Sequence, residues 1–394
     1  MRVLVLGIGK MGYGILKDLV AQPHVLEIIA ADLNVEAARR VVEKVGSDKI
    51  VDLRRVDVTD RESTVRLMRE GFDVVASALP RPVCDAAASA AIEVGVGYVD
   101  VAASFQTIFD LDEAAKRAGV TVVPHIGLDI GIDRVLCGVG ARKLDKPERF
   151  HVWCGGFPQK GTPGYNNPLR YKISWYWPYA VRTNLGVARV LKDGEIVEIP
   201  KLSDPEEIWF PEPVGRAEAF TTGSLIDVIE HLGLEGVKDA WSKTVRWPGH
   251  CEIWRKLREL HLLDEEAVDV KGVQVSPLDL FIALGEKTLQ YEPGEGDVIC
   301  QRVEVSGVKD GKSAAYIYEF IDLYDPVEDI SAMARTTGFP CSIVAQMIAR
   351  GEFKETGVIH PVKIGYDERL ADRFLSELAK RRIKITEYLK SPLN

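Results

Sequence analysis

The chain has no cysteine pairs of the C-x-x-C type. Its six cysteines lie scattered at positions 84, 137, 154, 251, 300 and 341. That spacing builds neither a disulfide framework nor a zinc ribbon, and reduced thiols in a cytoplasmic protein are the simplest account. The seven histidines lack metal-ligand spacing as well. His250 beside Cys251 would need distant ligands to make a zinc site, so no metal is expected. No apolar run approaches the length of a membrane span. Arg2 before an apolar run superficially suggests a signal peptide, but glycines and Lys10 interrupt that run too early. Positive charge is in deficit: 50 Lys and Arg against 59 Asp and Glu leave a net charge of −9. This balance argues against a general nucleic-acid binder, and the cluster Lys380, Arg381, Arg382 and Lys384 reads as a solvated helix face. No repeat or low-complexity segment occurs.

What is present begins at the N-terminus. Arg2 to Leu6 is a short apolar run that reads as a buried parallel strand, followed by Gly7-Ile8-Gly9-Lys10-Met11-Gly12 and then by apolar residues at helical spacing. A glycine triplet between strand and helix fits a dinucleotide fingerprint. One glycine allows the tight turn, one lets pyrophosphate approach the backbone, and one lets helix pack on strand. The first N–H groups of the helix then face the phosphates. Asp32 ends the next apolar run, at the spacing of about 20 residues expected for a ribose contact. Gly7, Gly9, Lys10, Met11, Gly12 and Asp32 are therefore the candidate cofactor residues.

Strand and helix signals then alternate. Strands are predicted at 51–58, 72–79, 97–103 and 120–126, and helices at 60–70 (with Asp60 as cap), 83–94 and 111–118. This is the βαβ series of an α/β fold, a Rossmann-type doubly wound parallel sheet. Ligands bind beyond the carboxyl ends of such strands, which adds Asp57, Leu79, Pro80 and Ala103 as residues bordering the cofactor. Beyond position 126 the pattern changes. Two Asp-Gly turns, Asp193-Gly194 and Asp310-Gly311, sit between β-rich flanks and predict hairpins. We expect residues 1–126 to form the dinucleotide-binding domain. Residues 127–330 should form a second, α+β substrate-binding and dimerisation domain with a mostly antiparallel sheet. Helices are expected from about 331 to 394, with Gly351 as a C-cap.

Two stretches carry mixed chemistry. Residues 161–179 interleave Tyr165, Tyr171, Trp175, Tyr176, Trp177 and Tyr179 with Asn166, Asn167, Arg170, Lys172 and Ser174. Such density fits a core or subunit interface, or a loop lining a polar pocket. Residues 245–250 place Arg246, Trp247 and His250 around a Pro-Gly turn, which fits a ligand wall or a surface turn.

Together these pieces resemble the saccharopine dehydrogenase family, most of all its L-lysine 6-dehydrogenase branch. The marks are the fingerprint, residues 127–133, Cys154-Gly155-Gly156-Phe157-Pro158, residues 167–175, 246–250 and 331–340. Ile130 stands where the family usually has proline. Arg246 to His250 and Asp32 look like the lysine 6-dehydrogenases. Asp129, Cys154 and residues 166–169 look more like the saccharopine enzymes. The resemblance implies a homodimer that oxidises, with a nicotinamide cofactor, a carbon bearing a lysine-like ε nitrogen, and helices about 331–394 that return to the cofactor domain. Asp32 selects NAD within that family. Hydride leaves such a carbon only when its nitrogen is unprotonated, which at neutral pH costs about 4–5 kcal/mol for an amine of pKa near 10.4. His250 is the expected base, since an ordinary imidazole titrates near working pH. Arg246 suits a carboxylate as a bidentate partner. Asp129 would hold the α-ammonium, and Tyr171 and Lys172 would orient the reacting end. Arg170 and Cys154 complete the expected substrate set. The resulting expectation is an NAD-dependent lysine 6-dehydrogenase. A saccharopine dehydrogenase is the alternative within the family, and a non-catalytic NAD-binding regulator the alternative outside it.

Overall fold

A computed structural model describes residues 1–390. Contacts divide the chain into two compact units. One joins Met1–Lys143 to Ala334–Ile385, and the other joins Leu144–Met333 to the segment from Thr386.

The first unit is built on parallel strands β1 (Arg2–Leu6), β2 (Glu27–Asp32), β3 (Ile50–Arg55), β4 (Val74–Ser77), β5 (Gly97–Asp100) and β6 (Thr121–Val123). Their order is β6-β5-β4-β1-β2-β3, with a further strand, Gly357–Val358, outside β6. Val3 to Leu6 are completely buried, as a central strand covered on both faces requires. The expected alternation is present with tighter ends. Strand β5 stops at Asp100 because one carboxylate oxygen takes the N–H groups of Ala102, Ala103 and His125, at 2.8, 2.7 and 3.0 Å, and turns the chain out of the sheet. Asp60 caps the helix Arg61–Met68 by accepting from Ser63 N at 3.2 Å.

The C-terminal segment is tied to the N-terminal one by charge and by backbone contact. Asp18, buried on the helix Lys10–Ala21, accepts from Ser342 Oγ at 2.6 Å, Gln346 Nε2 at 3.1 Å and Arg381 Nε at 2.5 Å. Arg381 also pairs with Glu377. The helix Ala332–Ala349 lies so close to Lys10–Ala21 that a Cβ on Gly14 would stand 2.1 Å from the Ala334 carbonyl oxygen. Contacts place the division at Lys143/Leu144, not at 126/127, because helix Ile132–Arg142 packs on Pro361–Tyr366 within the first unit. A Cβ on Gly365 would meet Val135 O at 1.8 Å, so the two backbones touch there.

The second unit carries a mixed sheet of β7 (Lys146–Pro158), β8 (Val187–Lys192), β9 (Glu195–Pro200), β10 (Ser203–Trp209), β11 (Arg216–Ser224) and β12 (Asp239–Arg246). A separate hairpin, β13 (Val268–Val270) and β14 (Val273–Val275), follows, and then β15 (Asp297–Lys309) and β16 (Lys312–Leu323) of the main sheet. Both Asp-Gly turns make hairpins, β8–β9 and β15–β16. The β15–β16 hairpin lies in a different sheet from β1. Pairing is antiparallel apart from β7 with β12. The expected helical run to 394 is broken at Thr386–Lys390, which forms an edge strand antiparallel to β16; positions 391–394 of that run lie outside the described residues.

The glycine contact yields a test. Gly14→Ala forces a methyl group into the Ala334 carbonyl, so the two helices must shift apart at a cost of about 1–3 kcal/mol. Urea denaturation should show a lower midpoint with an unchanged slope, and a midpoint equal to wild type would contradict the contact.

Candidate functional site

In the first unit the strand order reverses direction at β1, with β4 on one side and β2 on the other, which is where doubly wound sheets hold ligands. Gly7 turns the chain with φ 81°, and a Cβ there would lie 2.7 Å from Ala78 O, so the loop carrying Leu79 and Pro80 presses against the fingerprint. A Cβ on Gly12 would lie 2.0 Å from Gly7 O. Gly9, by contrast, has nothing within 4 Å of where its Cβ would be, and it stands at the N-cap of Lys10–Ala21. Lys10, Met11 and Gly12 open that helix, whose first N–H groups have no intrahelical acceptor. This open cradle of donors fits a pyrophosphate. Asp32, at the end of β2, is aimed by two backbone donors: Ile8 N on Oδ2 and Asn34 N on Oδ1, each at 2.7 Å.

The structure thus brings together Gly7, Gly9, Lys10, Met11, Gly12, Asp32, Leu79 and Pro80. Asp57 and Ala103 have other tasks. Asp57 turns onto Thr59, whose hydroxyl and N–H donate at 2.6 and 3.0 Å and hold the carboxyl below its usual range. Ala103 is completely buried, with its N–H spent on Asp100. Asp129 belongs to the first unit, with Oδ1 4.0 Å from Arg134 Nη1, in a loop where Gly127 and Gly131 bridge.

The second unit gathers the remaining candidates. Arg246 ends β12, and Glu218 on the neighbouring strand holds the turn after it, accepting from Gly249 N at 2.9 Å and Cys251 N at 2.6 Å. Arg170 reaches the same turn, its Nη1 donating to Pro248 O at 3.0 Å. The Arg246 guanidinium lies over the Tyr171 ring at 5.2 Å. Its Nη1 donates to Val245 O at 2.8 Å, while its Nε is sealed from solvent without an acceptor. Burial lowers the Arg246 pKa, yet a guanidinium stays charged at any physiological pH. The hydroxyls of Tyr171, Ser174 and Tyr291 are likewise buried with no carboxylate or carbonyl to accept from them, Ser174 lying beside the Tyr171 hydroxyl. Burial pushes the Tyr171 phenol up, as it does Tyr291. Cys154 Sγ accepts from Gln301 Nε2 at 3.4 Å on the paired strand.

Two expected roles change. Lys172 does not face a reacting group: its Nζ is buried against Glu295 at 2.8 Å and Gln290 O at 2.7 Å, so it acts as a strut. His250 does not titrate near neutral pH. It is buried among Tyr171, Phe220 and Trp254, and burial followed by the Arg246 charge pushes its pKa down to about 3. Its Nδ1 lies 2.6 Å from Leu169 O, an atom that only accepts, so Nδ1 carries the proton of a neutral ring. An imidazole with that pKa is a weak base. Its observed work is to hold the loop leading to Arg170 and Tyr171. Sequence reasoning missed Ser174 as a site residue, together with Tyr291, Glu295, Glu218 and Asn34. Tyr291 sits alone in a polar loop, where no periodicity marks it. Among the described residues no group of His, Cys, Asp or Glu is arranged to hold a metal, and no helix is long and apolar enough to cross a membrane.

His250 makes stability depend on pH in a set direction. Between pH 6.5 and about 3 the unfolded chain binds a proton at this site that the folded chain does not. Stability present above pH 6.5 is therefore lost as pH falls through that window, by up to about 5 kcal/mol from this group. His250→Gln keeps a donor for Leu169 O and removes the titration. Urea unfolding measured between pH 4.5 and 7 should show a shallower acid-side loss in the variant, and identical slopes would rule the effect out.

Comparison with known proteins accounts for both units. Residues 3–123 match the family model "Saccharopine dehydrogenase NADP binding domain", and residues 127–383 match "Saccharopine dehydrogenase C-terminal domain". The saccharopine dehydrogenase [NADP(+), L-glutamate-forming] of Schizosaccharomyces pombe is 23% identical over an alignment covering 98% of each chain. The alpha-aminoadipic semialdehyde synthase of Arabidopsis thaliana is 26% identical over 86% of this chain, which spans only 39% of that longer protein. The apo saccharopine dehydrogenase (L-Glu forming) of Saccharomyces cerevisiae has the same fold, with a TM-score of 0.83, 21% identity and coverage of 99% of this chain and 100% of that one. With both of its units matched by these models, the chain belongs to the saccharopine dehydrogenase family of oxidoreductases.

Proposed function

We propose that the protein is an NAD-dependent saccharopine dehydrogenase of the glutamate-forming kind, oxidising the carbon on the lysine side of the secondary amine. The observation that carries this reading is Arg246: a guanidinium with Nε sealed from water and without an acceptor, in a unit of matching family. Such a group needs an anion, and a substrate carboxylate supplies one. Support for saccharopine over free lysine comes from the near full-length likeness to a glutamate-forming enzyme. A second reading, free lysine as substrate, is favoured by the Pro248-Gly249-His250 turn, which looks like the lysine 6-dehydrogenases. The homodimer and cytoplasmic location expected from the sequence belong to the same proposal.

The chemistry balances as follows. Saccharopine's protonated secondary amine, oxidised dinucleotide and water give an aldehyde, protonated glutamate, reduced dinucleotide and one proton. The dinucleotide, when bound, accepts the hydride. The chain's own groups do the rest. The helix N–H groups at Lys10 to Gly12 would hold the pyrophosphate of a bound dinucleotide, and Asp32 would take the ribose hydroxyls. Arg246 fixes one carboxylate. Burial against the stacked rings of Tyr171 and Trp177 would disfavour the charged amine and lower its pKa, so that the nitrogen gives up its proton to bulk solvent before hydride leaves. His250, held near 3, does not accept that proton at neutral pH.

Steady-state rates decide the substrate. We expect kcat/KM for saccharopine to exceed that for lysine, with activity falling about 10- to 150-fold in Arg246→Met through loss of a charged hydrogen bond. A higher kcat/KM for lysine would establish the second reading, and no reduced nicotinamide from either would leave the non-catalytic alternative.

The cofactor divides on Asp32. Its two oxygens are steered by Ile8 and Asn34 but keep lone pairs for two ribose hydroxyls, while a 2′-phosphate would meet a like charge. NADP is favoured by the name of the matching domain model and by Arg55, exposed on β3 at the position paired with Asp32. Fluorescence titration should give a lower Kd for NADH than for NADPH, and Asp32→Ser should narrow the gap. Tighter NADPH binding by the unaltered protein would assign the cofactor to NADP.

A further inference from the structure

Tyr291 lies outside every motif that marks the family in this sequence, yet the backbone of both its chain neighbours is held by side chains. The backbone on both sides of it is clamped to one buried ion pair. Gln290 O takes Lys172 Nζ at 2.7 Å, and Glu292 N donates to Glu295 Oε2 at 3.0 Å. Lys172 and Glu295 meet at 2.8 Å, and Glu295 Oε1 also takes Gly164 N at 2.5 Å. All this fixes a tyrosine whose hydroxyl is shut off from solvent and has no acceptor. The hydroxyl is close enough to Arg246 and Tyr171 for their charges to act on it. Ser174 stands beside the Tyr171 hydroxyl.

Buried polar groups are hydrogen-bonded as a rule. Here four donors, Arg246 Nε, Tyr171 OH, Ser174 Oγ and Tyr291 OH, lie near one another, and no carboxylate or carbonyl answers them; the Tyr171 hydroxyl meets only Ser174 and the Trp175 indole. The nearby carboxylates are committed elsewhere: Glu295 to Lys172, and Asp297 to the N–H groups of Ala332 and Met333 at 2.7 and 2.9 Å. A carboxylate offers about four lone-pair sites and no donor, which is the complement of this set. We propose that Tyr291 and Ser174 complete Arg246 and Tyr171 into a four-donor cradle for a single carboxylate, with the Lys172–Glu295 pair positioning Tyr291. The inference rests on the reading that Arg246 takes a substrate carboxylate. It adds the two residues that make the site selective for a carboxylate over a neutral amide, because a carboxylate has two oxygens that can take every hydroxyl as a donor and a charge to meet Arg246, whereas an amide has one such oxygen and no charge.

The test separates the cradle from the reaction. Tryptophan fluorescence titrations with glutarate and glutaramide need no turnover. We expect glutarate to bind at least about tenfold more tightly than glutaramide, and Tyr291→Phe to weaken glutarate about tenfold while hardly moving glutaramide. Ser174→Ala, which removes one oxygen, should give a smaller loss of the same sign and serves if the tyrosine variant melts early. In turnover the Tyr291→Phe change should appear in KM far more than in kcat. Equal affinities for glutarate and glutaramide, or unchanged glutarate binding in both variants, would mean that the hydroxyls hold only water and would overturn the proposal. Glutarate selectivity without turnover of saccharopine would defeat the proposed reaction and leave the cradle standing.

Discussion

A carboxylate buried in a parallel α/β unit must be neutralised, and the way Asp18 is neutralised shapes this protein. Its side chain lies on the helix that follows the glycine fingerprint, and the groups that compensate it, Ser342, Gln346 and Arg381, come from the far end of the chain. Removing Arg381 would leave an unpaired charge in the interior, a penalty of several kcal/mol. The dinucleotide-binding unit is therefore incomplete until residues from about 334 onward have returned to it. Glycines at the same crossing let the two backbones touch, so charge and shape impose the same closure.

This closure explains what could and could not be read from the sequence. The fingerprint, the strands and the two Asp-Gly hairpins are local patterns, and local patterns are legible. A strand signal needs only a few apolar residues in a row, and a hairpin needs only its turn. The division at Lys143/Leu144 is not local. It depends on Gly138 and Gly365 allowing two helices distant in sequence to meet backbone to backbone. The strand Thr386–Lys390 escaped notice for a related reason. Its residues are exposed and follow a basic helix end, so nothing in their own pattern outweighs the helical context, and its strand character comes from the open edge of β16.

The candidate site divides along the same line. Gly7, Gly9, Gly12 and Asp32 were legible because phosphate and ribose recognition uses backbone and one acid at set spacing. The second unit's site is made of side chains from three loops, and residue type misled in two cases. His250 has the side chain of a general base, but among aromatic rings and beside Arg246 it is held neutral to about pH 3. Lys172 has the charge of a substrate ligand, yet its charge is spent on Glu295. Environment, not identity, decides which polar residue is available.

The residues that remain available share one property: each has a donor to offer, and no carboxylate or carbonyl of the protein answers it. Arg246, buried with Nε unanswered and only Val245 O on Nη1, would gain from an acceptor contributed from outside the chain, since the desolvation cost of a cation exceeds what ring stacking on Tyr171 returns. Tyr171 and Tyr291 add donors without adding charge, which keeps the site at a single positive charge. On the proposed reading, a site so composed takes one carboxylate and gains nothing from a second. Any further carboxylate of a larger substrate must then be met by other cations or remain in water, and the contribution of Arg170, which holds Pro248 while stacking on Tyr165, becomes the next point at which charge decides the substrate.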